Sequence, residues 1–174
     1  ILAGLAVLVS LLIGVPTGVL AAVRRGSWID RAAVAAATLL QSMPNFWVAL
    51  MMILVFSVRL HWLPTGGMRG PESYVMPVAA LAFLTTARFV RLVRSSVLDE
   101  LGSDYTRTAR SKGLAERVVV FKHVLRNALN PVITMTTLQL GTLFGGSVVT
   151  ETVFAWPGLG RLMVDSIGYR DYPV

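Results

Sequence analysis

Residues 104–131 read DYTRTARSKGLAERVVVFKHVLRNALNP, and an uncharged run from Asn127 to Thr150 follows directly. The stretch spells a short helix, a Gly break, a second helix and then a hydrophobic span. Asp104 suits an N-cap, and Lys112 with Gly113 suits a stop, because Gly enters the left-handed conformation without steric cost. The second helix is expected to start near Glu116, whose charge favours a helix N-terminus. Phe121, Val124, Leu125 and Ala128 fall at i, i+3, i+4 and i+7, one apolar face, with Arg117, Lys122 and Arg126 outside it. A compact basic hairpin directly before a span suits a rigid contact surface better than a flexible linker.

Two further uncharged runs fix the class: Ile1 to Val23, 23 residues, and Ala32 to Val58, 27 residues, beside the 24 of Asn127 to Thr150. Each exceeds the roughly 20 apolar residues that cross a bilayer core. A fourth run, Ser73 to Ala87, has only 15 residues. It spans if the helix continues past Arg88 and Arg91, whose long stems reach the interface. The expectation is an all-α membrane protein, a polytopic helical bundle with spans at about 1–23, 32–58, 73–93 and 127–150.

The net charge of +7 would fit nucleic acid, but its distribution follows the positive-inside rule. Residues 24–31 carry three basic side chains and residues 88–126 carry nine, whereas the other two connections carry two each, Arg59 with Arg69 and Arg161 with Arg170. Rich and poor loops alternate as four consecutive spans require. Loop 24–31 and the loop 94–126 are therefore expected in the cytoplasm, with 151–171 on the outer face and a further span starting at 172–174. No nucleic acid is expected as partner; the lipid bilayer is. The chain starts with Ile, carries its first Arg pair after the first span and ends on the approach to another span, which reads as a fragment cut at both ends.

Inside the spans, Gly14 and Gly18 in the first, and Gly141 and Gly145 with Gly146 beside them in the last, have the spacing that lets helices approach closely. The last group is the better candidate for a tight crossing, either with a partner subunit or within the chain. Pro16 is expected to kink the first span, and Pro44 to free the Leu40 carbonyl in the second. Gln41, Asn45, Asn130 and Gln139 are polar groups at membrane depth. Either they line a translocation path or they hydrogen-bond between helices. Arg88, Arg91 and Arg94 share one helix face, with Asp99, Glu100 and Asp104 close by for pairing. Trp156 is expected at the membrane interface. Glu151 reads as a gate or docking residue or as an ordinary helix-end charge, and Leu159 to Ile167 as a short helix on the outer surface.

No GxxxxGK[ST], HExxH or GxSxG string occurs, and no span contains an acidic residue. His61 and His123 stand alone, and there is no Cys, so no metal site or catalytic residue is expected. A transporter built this way takes its energy from outside the chain, and the basic hairpin is the place to deliver it.

Three sets of strings carry a resemblance: YTRTARSKGL with HVLRNALNPVIT, then LQLGTLFGGSVVTETVFAWPGLGRLMVDSI, then LIGVPTGVLAAVRRGSWID with PNFWVALMMILVF. Across nearly its whole length the chain resembles the permease subunits of binding-protein-dependent ABC importers, and more narrowly their dipeptide/oligopeptide/nickel branch. In the wider family the loop reads E-A-A-x₃-G. Aligned on Gly113, this chain has Arg107, Thr108 and Ala109, so contacts made by that Glu elsewhere do not transfer to Arg107. The resemblance implies the type I importer permease fold, usually of about six spans, of which four to five are present here. It implies that Asp104, Tyr105, Arg107, Thr108, Ala109, Arg110, Lys112 and Gly113 form a coupling helix seated in a cytoplasmic ATPase. It further implies a second homologous permease subunit, two ATPases that carry ATP and Mg, no cofactor on this chain itself, and a solute-binding protein meeting the outer face near Glu151, Trp156, Arg161 and Asp165. The location implied is the cytoplasmic membrane of a bacterium or archaeon. The substrate implied is a di- or oligopeptide, with nickel or glutathione as alternatives, and a non-transporting membrane scaffold as a distant one.

Overall fold

The structure is a computed structural model that describes residues 1–146 and 148–169, with backbone alone at 144–146. Every regular element in it is helical. The order is α1 (Leu2–Val23), α2 (Trp28–Ser42), α3 (Asn45–Met52) continued by a π-helical stretch (Ile53–Arg59), a 3₁₀ turn (Pro71–Tyr74) leading into α4 (Val75–Leu101), and α5 (Asp104–Ser111). Then come α6 (Glu116–Val118), a π-helical stretch (Val119–Val124), α7 (Leu125–Ala128), α8 (Asn130–Gly146), α9 (Val148–Val153) and α10 (Leu159–Tyr169). Among the described residues, Leu2–Val23 and Pro71–Leu101 are long and apolar enough to cross a membrane, with a third span if α2 and Asn45–Arg59 count together. The second apolar run thus breaks at Pro44, which is extended, and the helix restarts at Asn45 with Trp47 and Val48 donating to the Pro44 carbonyl. The helix through Arg88, Arg91 and Arg94 runs on to Leu101. The run 127–150 holds α8, 17 residues long, and the start of α9. The further span placed at 172–174 lies outside the described residues.

The chain forms two compact units. One comprises residues 10–41 and 86–138. Its core is Ala22, Phe89, Val93, Val97, Ala109, Val119, Val124, Ala128 and Val132. Here α1 crosses α4 at Gly14 and Gly18. A Cβ added at Gly14 would stand 2.8 Å from Phe89 Cβ, and one at Gly18 would stand 2.7 Å from Val93 Cβ and 2.8 Å from the Val90 carbonyl oxygen. Only a bare backbone fits that approach. In the chain alone Gly141 meets nothing within 4 Å, and Gly145 and Gly146 lie outside the residues whose packing is described. Pro16 sits within a continuous α1.

The other unit comprises residues 1–9, 42–85 and the chain from 139 onward. Ala49, Met76, Ala80 and Phe154 form its core. The loop before α4 is fastened to the end of α9, with Gly67 N–H donating to the Phe154 carbonyl at 2.9 Å. At Gly66 a Cβ would lie 2.6 Å from that same oxygen, so this turn needs the missing side chain.

Candidate functional site

The basic hairpin is held at three points. At its entry Ser103, not Asp104, is the N-cap residue, and Asp104 opens the helix. Ser103 spends its hydroxyl on the Glu100 carbonyl at 2.6 Å, which Thr106 also reaches at 2.8 Å. The Tyr105 hydroxyl donates to the Glu100 carboxylate at 2.5 Å. The last turn of α4 thus grips the first turn of α5 through one residue. At the exit Gly113 has φ +77°, its N–H bonds the Arg110 carbonyl, and Leu114 N–H reaches the Ala109 carbonyl. This is the two-bond Schellman closure, which needs a left-handed residue at Gly113. Beyond the turn, Arg110 grips Glu116 with two parallel bonds, Nη2 to Oε1 at 2.6 Å and Nε to Oε2 at 3.1 Å. That contact holds the Glu116 carboxyl below its ordinary pKa and raises that of Arg110.

Helical periodicity then divides α5 into two faces. Thr106 and Ala109, three residues apart, are buried. Asp104, Tyr105, Arg107, Thr108, Arg110 and Lys112 are exposed, Asp104 and Arg107 with side chains 99% and 81% open to solvent. Ala109 therefore seats the helix on the core rather than offering a contact surface. The stripe expected on the next helix also needs correction. Val119, Val120, Val124 and Ala128 are buried, whereas Phe121 is 66% exposed. The cause is the π-helical stretch from Val119 to Val124. Its i→i+5 turns rotate each side chain less than an α-helix does, so a 3.6-residue period misplaces Phe121.

Two arginines expected to meet Asp99, Glu100 and Asp104 turn elsewhere. Arg94 grips Asp30, which also accepts from Gly26 N–H at 2.9 Å. Arg91 donates to Gln41 Oε1 at 2.6 Å. Asp30 is only 4% exposed and ties the turn before α2 to α4, about two turns before that helix ends at Leu101. This brace was missed at the level of sequence. One signal was present: Asp30 is the sole acidic residue in the first 71.

The four polar candidates at membrane depth have separate environments. Gln41 holds Arg91, Asn45 donates to Thr150 Oγ1 at 3.3 Å, Gln139 is buried and Asn130 is exposed. For Gln41 and Asn45 the geometry favours hydrogen bonding between helices. On the expected outer face, Glu151 is 7% exposed, and its carboxylate accepts from the Arg161 N–H at 3.0 Å in the first turn of α10. Gly158 and Gly160 pass so close that a Cβ at either would press on that carboxylate. Glu151 is thus a buried cap for α10, satisfying donors that a helix N-terminus leaves open. Trp156 is likewise buried, with its ring edge-on to Tyr74 at 4.6 Å. Arg161 and Asp165 form an exposed pair at 3.5 Å on α10. No cluster of metal-ligating side chains occurs among the described residues.

Among the described residues every regular element is helical, and the pinned, basic α5 follows α4, which belongs to a helix long and apolar enough to cross a membrane. Residues 14–174 match the family described as binding-protein-dependent transport system inner membrane component. The chain is 48% identical over 165 residues to the glutathione transport system permease protein GsiC of Escherichia coli strain K12, and equally to that of Shigella dysenteriae serotype 1 and of Salmonella choleraesuis. The match covers 95% of this chain and 54% of each relative, so the chain spans about half the length of these curated relatives. The chain belongs to the family of ABC importer permeases, in the dipeptide/oligopeptide/nickel branch.

Proposed function

We propose that this chain is the membrane-spanning part of a permease subunit that imports short peptides across a bacterial inner membrane by alternating access, with α5 as its coupling helix. The observation that carries the reading is the construction of α5. It is bonded to α4 through Glu100, closed at Gly113 and clamped through Arg110 to Glu116, while Asp104, Tyr105, Arg107, Thr108 and Lys112 face outward. A helix fixed at both ends to membrane helices transmits a push, as a disordered loop does not. Two cytoplasmic ATPases, carrying ATP and Mg, would hold this helix and its counterpart on a second permease subunit. Their closure would rock the spans around a shared path. A solute-binding protein would deliver substrate near Arg161 and Asp165.

The substrate class rests on the branch and on the relatives, which are named for glutathione, itself a short peptide. In the assembled importer, ATP-dependent uptake of glutathione, dipeptides, oligopeptides and nickel is compared with the cognate binding protein present. Peptide uptake supports the reading, and uptake of nickel alone contradicts its substrate class. Reversing charge at Arg107 and Lys112 separates transport from scaffolding: the importer loses ATPase recruitment, whereas a scaffold assembles unchanged with an altered lipid requirement.

A further inference from the structure

A cavity of about 490 Å³ lies in the unit formed by residues 10–41 and 86–138, between the last turns of α1 and the helix that follows Gly113. Its walls are apolar: Val15, Val19 and Val23 on one side, Val120, Phe121 and Leu125 on the other. Its polar members are Arg24, directly after α1, and Glu116 with Arg117 at the start of the second helix. Glu116 is already engaged by Arg110. The rim therefore offers two exposed guanidinium groups over an apolar trough. The volume falls within the roughly 300–1,000 Å³ of small-molecule sites, which pair apolar walls with a few placed polar groups.

We propose that this groove binds one anionic phospholipid of the inner leaflet, its phosphate on Arg24 and Arg117 and an acyl chain along Val19, Val23, Val120 and Phe121. Three observations select that occupant. The trough begins where an apolar 22-residue helix ends in Arg24, the level at which headgroups lie. Phe121 is 66% exposed beside exposed Lys122, and an open aromatic next to a basic side chain is the pattern of a helix resting in the interface. Charge decides the headgroup: guanidinium pairs suit a phosphate without a compensating choline, and basic residues next to a span are drawn to anionic leaflets. None of the outward-facing residues of α5 lines the groove.

This sequence has no Cys, so once any cysteines elsewhere in the assembled importer are replaced, Phe121→Cys gives one spin-labelling site, with Lys122→Cys as control. The assembled importer is placed in nanodiscs of phosphatidylcholine with or without phosphatidylglycerol, and retained lipid is counted by native mass spectrometry. One phosphatidylglycerol should be retained over phosphatidylcholine, and the label at 121 should become immobile only when it is present, with little change at 122. Arg24→Gln with Arg117→Gln should lower that preference about 30-fold, and added glycerophosphate should not restore immobility. Equal retention of both lipids overturns the proposal. So does a label at 121 that is immobile in every composition, which would mean that protein fills the groove.

Discussion

Arg94 meets Asp30 at two points, Nε to Oδ1 at 2.5 Å and Nη2 to Oδ2 at 2.9 Å, with the Asp30 side chain 6% exposed and that of Arg94 27%. Removing one member of so buried a pair strands the other. Asp30→Ala or Arg94→Ala is expected to cost roughly 3 kcal/mol. The reversed pair, Asp30→Arg with Arg94→Asp, should recover part of it. Thermal unfolding in detergent of the three variants reads the difference, and simple additivity of the two single losses would show that the groups do not interact.

The crossing at Gly14 and Gly18 gives a contrast within one protein. Gly18→Ala drives a methyl to 2.7 Å from Val93 Cβ and should destabilise by about 1–3 kcal/mol. Gly141→Ala meets nothing within 4 Å and should stay within about 0.5 kcal/mol of the parent. Unfolding midpoints of the two variants, measured side by side, check the assignment.

The Arg110 clamp carries a pH signature. Its contact lowers the Glu116 pKa in the folded protein, so the stabilisation is complete above the unfolded value of about 4.3 and fades as pH falls through the lower folded value. Both side chains are about half exposed, which limits the contribution to under about 1 kcal/mol. Glu116→Gln should be less stable than the parent near neutrality and approach it in acid. Stability measured from pH 3 to 7 would show a constant gap if the pair contributes nothing.

Gly113→Val places a β-branched residue at φ +77°, at a local cost of about 1–2 kcal/mol. The Schellman closure should open and α5 should lose its fixed exit. In the assembled importer this variant is expected to hydrolyse ATP with less substrate moved per ATP. Unchanged uptake per ATP would show that the turn carries no coupling.

Much of this was readable beforehand, for stated reasons. The helix–Gly–helix order of residues 104–131 was legible because Gly113 marks a local conformation that few residues adopt. The apolar runs were legible because hydropathy needs no tertiary context. Reading failed where a contact distant in sequence decides. Asp30 and Arg94 are 64 positions apart. Phe121 left the expected stripe because a π-helical stretch changes the period, and no residue type announces such a stretch.

The most direct test of α5 as the coupling element is crosslinking from single cysteines in the assembled, ATP-bound importer. Tyr105→Cys and Lys112→Cys, on the exposed face, should crosslink to the ATPase, whereas Ala109→Cys, on the buried face, should not. Labels at 105 and 112 that remain in open solvent or react with lipid, with no ATPase adduct at either, would contradict the account.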